Sequence, residues 1–203
     1  MGKKIIALDA DGVLLDYNLA YARAWQRAFG QYPSEKEPSA YWAIDRWNVA
    51  RLVDEDLAKF KRCFDELFWS SIPALGGALE ACKSLDAAGF ELVCVTALAA
   101  EFGVARQENL LRLGFPIHKV YTANTDCTDR SPKADVLNAL KPVAFVDDYL
   151  PFLRGIDNGI HSALIHRSAT KSPNTGEFVC AVASQHDDLG EFARFWLAKN
   201  NHS

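Results

Sequence analysis

No apolar run in this chain approaches the roughly 20 residues that a membrane-spanning helix needs. Lys3 and Lys4 open the sequence in the manner of a leader peptide, but Asp9 and Asp11 break the apolar stretch behind them. A cleaved signal is therefore not expected. Cysteine is sparse and scattered: Cys63, Cys82, Cys94, Cys127 and Cys180 are odd in number and form no CxxC pair. They read as reduced thiols of a cytoplasmic protein, several of them in the core. The histidines His118, His161, His166, His186 and His202 show no metal-ligand spacing. An excess of basic charge is missing too. Lys plus Arg number 22 against 26 Asp plus Glu, a formal charge of −4, and no basic stripe occurs. Nucleic acid is thereby disfavoured as a partner, as a membrane is by the lack of a span.

What remains is the composition of an ordinary folded domain. With 203 residues, 49% of them hydrophobic, the chain can bury one good core and carry a smaller insert. Strand and helix signals alternate along it. The run 5–8 is too short for a helix and suits a buried strand. The segment 17–30 sets Leu19, Ala22, Trp25, Ala28 and Phe29 at helical spacing and stops at Gly30. Residues 54–69 carry a second stripe, Leu57, Phe60, Phe64, Leu67 and Phe68, and read as one helix.

From 73 onward, helical segments near 74–89, 99–114 and 133–140 separate strands at 91–96, 119–123, 143–148 and 161–166. The run 178–182 reads as a last edge strand, and 187–200 as a closing helix. Segments in this rhythm predict right-handed crossovers, hence a Rossmann-like α/β fold: a parallel sheet with helices on both faces. The aromatic-rich stretch 17–72 interrupts the rhythm and predicts a small helical cap domain, leaving 1–16 and 73–203 as the core domain. Ligands of such sheets bind beyond the carboxyl ends of the strands. Asp9 and Asp11, Thr96, and Asp147 with Asp148 all fall at strand ends, so they are expected to meet at one edge of the sheet.

Asp9 with Asp11 is the sharpest signal, because two carboxylates ending a buried strand repel each other and have few structural uses. A cation, or a reaction needing two carboxylates in different protonation states, would justify them. The other candidates are plainer taken singly. Thr96 suits a strand by propensity, Lys133 with its rival Lys141 suits a solvated helix end, and Asp16 suits a helix cap. Asp147 and Asp148 could simply begin a turn.

Four motifs, DADGVLLD at 9–16, VCVTA at 93–97, SPKADVL at 131–137 and FVDDYL at 145–150, together resemble the haloacid dehalogenase superfamily in its phosphatase branch. They occur in that family's order, and with the strand–helix rhythm they span nearly the whole chain. The resemblance implies Asp9 as a nucleophile that forms an aspartyl phosphate and Asp11 as general acid and then base. It implies Thr96 on a phosphoryl oxygen and Lys133 offsetting charge beside Asp9. A Mg²⁺ ion would be held by Asp9, by the Asp11 backbone carbonyl and by Asp148, with Asp147 the second choice. The substrate it implies is a small phosphorylated metabolite closed beneath the cap. A phosphomutase using the same intermediate and a weakly active phospho-ligand-binding relative stay open as alternatives. A dehalogenase fits less well, since that branch lacks an acid equivalent to Asp11. A phospho-accepting receiver domain fits less well too, since its aspartate ends a later strand.

Overall fold

The computed structural model describes residues 2–123 and 129–200, apart from the Phe178 side chain, so Cys127 and His202 lie outside the described residues. Its frame is a parallel sheet in the order β3-β2-β1-β4-β5-β6. The strands are β1 (Ile5–Leu8), β2 (Glu91–Ala97), β3 (Ile117–Ala123), β4 (Ala144–Asp147), β5 (His161–Ile165) and β6 (Ser184–His186). Every neighbouring pair is parallel, with Leu8 opposite Cys94 on one side and Val146 on the other. The order reverses at β1, so β1 and β4 flank the crevice where a sheet of this kind takes its ligand.

Side chains leave a strand to alternate faces, and both faces here are apolar. Ile6, Leu8, Cys94, Val146 and Ile165 point to one side, where α5 (Ala78–Ala87) and α8 (Leu189–Asn200) supply Leu85, Phe192 and Trp196. Ala7, Val93, Val95, Phe145 and Leu164 point to the other, against Leu137 of α7 (Ala134–Leu140). The remaining crossover helix is α6 (Gly103–Arg112).

The stretch 17–72 carries α1 (Tyr17–Phe29), α2 (Ala43–Arg46), α3 (Asp54–Lys61) and α4 (Glu66–Trp69). Asp16 caps α1 through its Oδ1, 2.9 Å from the Leu19 N–H, and Gly30 ends the helix with φ +81. On α1 the deeply buried positions are Asn18, Ala20, Ala22, Ala24 and Ala28, while Leu19, Trp25 and Phe29 are only half-buried. Phe60 and Phe68 join the same apolar cluster as Leu8 and Ala10, so the insert and one sheet face share a core.

Two expectations are corrected. Residues 54–69 form α3 and α4 rather than one helix. Asp65 starts the second by accepting from the Phe68 N–H, and its carboxylate also takes Arg27 at 2.6 Å. The run 178–182 is no strand, since Glu177–Ala181 is a 3-10 turn and the edge strand follows it at Ser184–His186. Among the described residues no helix is long and apolar enough to cross a membrane. Cys63, Cys82 and Cys94 are buried free thiols and Cys180 an exposed one.

Candidate active site

At the crevice, β1 ends in Asp9, whose N–H donates to the Val146 carbonyl at 2.9 Å and so holds it beside the end of β4. The chain then turns at Gly12, with φ +87. Any Cβ there would overlap the Asp148 carboxylate, so glycine is required both by the turn and by the close approach. Asp9, Asp147 and Asp148 are all buried, and each offers a carboxylate oxygen within 4.8 Å of the others.

Lys133 enters from the start of α7 with no exposed surface, and its Nζ lies 2.6 Å from both Asp9 Oδ1 and Asp147 Oδ2. Burial works against its charge, but Asp147 and Asp9 outweigh that and raise its pKa. The rival Lys141 sits exposed at the far cap of α7, away from this cluster. Asp147 also accepts the Tyr149 N–H at 2.9 Å, so each of its oxygens carries a hydrogen bond. Asp148 lines the cleft instead, with Oδ2 on Arg167 at 2.9 Å. Burial, with a contribution from Asp9, pushes the Asp148 carboxyl up to about 6 even though Arg167 opposes the shift. Burial raises Asp147 as well, with Asp9 and Asp148 adding to it and Lys133 opposing. Three carboxylates thus face two cations, and the surplus negative charge, in an all-oxygen donor set, suits a hard divalent ion such as Mg²⁺.

Asp11 turns the other way. Its Oδ2 accepts from Arg106 Nη2 at 2.8 Å, while its Oδ1 is buried without a partner among the described residues. Burial raises its pKa, Arg106 opposes the rise and Asp9 adds to it, for a net upward shift. Thr96, buried at the end of β2, shares the cleft with Asp9, Asp11 and Asp148. The cleft measures about 290 Å³.

The strand-end residues Asp9, Asp11, Thr96, Asp147 and Asp148 therefore do converge, joined by Lys133. Sequence reading missed Arg106, Arg167, Tyr41 and Asn174. Tyr41 Oη and Asn174 Nδ2 both donate to the Asp148 carbonyl, at 3.1 and 2.7 Å, and fix the turn that aims its carboxylate. Arg106 had a faint signal, since it stands four residues before Leu110 on the buried face of α6. Arg167 had none, for it lies in an irregular loop with φ +59.

No protein-family model and no curated relative matches the sequence. Solved structures do match it over almost its whole length. The HAD-hydrolase YfnB of Bacillus subtilis, bound to magnesium, superposes with a TM-score of 0.63 at 13% identity, covering 96% of this chain and 99% of that one. A dehalogenase solved with an intermediate complex gives 0.62 at 15%, over 96% and 97%. A predicted phosphoglycolate phosphatase of Haemophilus somnus gives 0.58 at 16%, over 96% and 98%.

Proposed function

The chain has the α/β fold of the haloacid dehalogenase-like hydrolases, and on that frame we propose that it is a Mg²⁺-dependent phosphatase. The observation that carries this reading is one cleft holding two carboxyl groups in different settings. Asp9 is charge-paired to Lys133, whereas Asp11 meets Arg106 and burial raises its pKa. Neighbours in fold include both phosphatases and dehalogenases, so the site has to decide between them. A carboxylate nucleophile alone would serve either chemistry. Halide, however, leaves without a proton, whereas the oxygen of a phosphate ester must take one up. A second carboxyl beside the nucleophile, its pKa raised by burial, therefore has a use only in the second case.

In the proposed reaction, an Asp9 oxygen attacks phosphorus and the bond to the leaving oxygen breaks, with Asp11 giving that oxygen its proton. Water then attacks the aspartyl phosphate, Asp11 takes the proton back, and cleavage of the phosphorus–Asp9 bond frees phosphate. In this reading Lys133 holds Asp9 in place, and the Thr96 hydroxyl would donate to a phosphoryl oxygen. Asp9, Asp148 and the Asp11 carbonyl would hold Mg²⁺, which supplies positive charge for the phosphoryl oxygens. Asp148 is favoured over Asp147 because it lines the cleft, whereas the Asp147 carboxylate is turned to Lys133 and the Tyr149 N–H.

Residues 17–72 act in this reading as a cap that limits water and admits a small phosphorylated metabolite. The unpaired cysteines favour a reducing, cytoplasmic setting. The reading is tested by turnover of an aryl phosphate with Mg²⁺ and after chelation. Turnover that vanishes on chelation and returns with Mg²⁺ supports it, and full activity in the chelated enzyme refutes it. Asp11→Asn should lower kcat by roughly 10²–10⁴ while barely changing the Mg²⁺ requirement.

A further inference from the structure

One wall of the cleft over Asp9 is aromatic, and the chemistry described so far makes no use of it. Tyr41, Trp42, Tyr149 and Phe152 follow one another edge to face, with ring centres 4.8 Å, 6.1 Å and 4.9 Å apart along the series. All four line the same cleft as Asp9 and Thr96. Trp42 is 46% exposed, a large apolar surface left open beside buried carboxylates. The wall is fixed to the site and not merely near it. Tyr41 donates to the Asp148 carbonyl, the Tyr149 N–H donates to Asp147, and the Asn18 amide donates to the carbonyls of Ala40 and Tyr41.

Charge narrows what can lie against it. Among the described residues, the acids lining the cleft are Asp9, Asp11 and Asp148, and the one lining cation is Arg167. Arg167 is already bound to Asp148 and stacked 5.0 Å over Tyr41, and Lys133 is sealed behind Asp9. Among the described residues, no lining side-chain cation remains for a second anionic group on the ligand. The cleft volume, about 290 Å³, lies at the small end of ligand pockets and leaves room for a phosphate and little more than one ring system.

Resting on the phosphatase reading, we propose that the substrate is a phosphate monoester whose leaving group carries a flat, uncharged, unsaturated ring that packs on Trp42 and Tyr149. Nucleoside monophosphates and phosphorylated aromatic alcohols share this chemistry. Glycerol phosphate, sugar phosphates and bisphosphates lack it.

The test compares kcat/KM, with Mg²⁺ present, for naphthyl phosphate, a nucleoside monophosphate, glycerol phosphate and a hexose phosphate. At least one ring-bearing ester is expected to exceed both ringless ones by about ten-fold or more, the scale of a single stacking contact. Whichever of the two ring-bearing esters leads identifies the source of the ring. Trp42→Ala should carry that ratio toward one, mainly through KM, and Trp42→Phe should restore most of it. Calorimetry on Asp9→Asn should show the same order of affinities without turnover. Equal kcat/KM across the ringless and ring-bearing esters would overturn the inference while leaving the phosphatase reading intact. A ratio that survives Trp42→Ala would overturn the role of the wall. Hydrolysis of none of the esters would overturn the phosphatase reading and this inference with it.

Discussion

Arg106 has no exposed surface, yet its Nε and Nη1 lack partners and its hydrogen bond goes to Asp11. Its guanidinium lies 5.3 Å over the Trp69 ring, which offsets part of the cost of burying the charge. Because Arg106 lowers the Asp11 pKa, its loss lets that pKa rise. A general acid works while protonated, so activity fails as pH climbs through its pKa. The alkaline limb of the kcat profile should therefore move to higher pH in Arg106→Met and return in Arg106→Lys. An unmoved limb would mean that Asp11 is not the acid. Residues with a chemical reason to sit at strand ends were legible in sequence, Asp9 and Asp11 above all. Arg106 and Arg167 were not, because a basic residue on a helix or in a loop reads as solvated until tertiary contacts enclose it.

Among the elements, the strands were the most legible, since β1, β2, β4 and β5 each carry a buried apolar run of three or more residues. The errors arose where apolarity and backbone part company. The aromatic stripe Phe60, Phe64, Phe68 continues across the break between α3 and α4, so periodicity alone hid the Asp65 cap. The true edge strand β6 is polar, and the apolar run beside it drew the assignment away. The proposed cap joins the core through paired segments: the Asp16 N–H meets the Pro73 carbonyl at 2.8 Å and the Leu75 N–H meets that of Leu14 at 2.9 Å. A second tie runs from Ser39 and Tyr41 to Thr170, so movement of the cap must break it or carry that loop along. Of the cap's tryptophans, Trp47 and Trp69 donate their indole N–H groups to carbonyls and Trp25 packs on Phe60. Trp42 alone of these lines the cleft. Mg²⁺ with a metal fluoride should therefore shift tryptophan emission, Trp42→Phe should remove most of the shift, and Trp196→Phe should preserve it. A shift that follows Trp196 would argue for a rigid insert.

For the whole molecule, a histidine stands where α8 packs on the sheet. His161 lies 4.9 Å from the Trp196 ring and 2.9 Å from Ser184 Oγ. Burial, with Lys199 and His186 adding to it, lowers its pKa from 6.5 to about 4. Between those values the unfolded chain binds more protons than the folded one, so this contribution to stability is lost as pH falls through that window. The urea midpoint should drop more from pH 7 to pH 5 in the native protein than in His161→Gln, and equal drops would contradict the assignment. The fold delivers Asp9, Asp11, Thr96 and Asp148 to one cleft, with Lys133 and Asp147 behind it, but a fold shared with dehalogenases leaves the reaction to be read from Asp9 and Asp11. The most direct measurement is to acid-quench the enzyme during turnover of a monoester labelled in its phosphorus and to map the label. The account predicts a labelled peptide containing Asp9, with no label and no turnover in Asp9→Asn. Turnover persisting in Asp9→Asn, or label on any other residue, would contradict it.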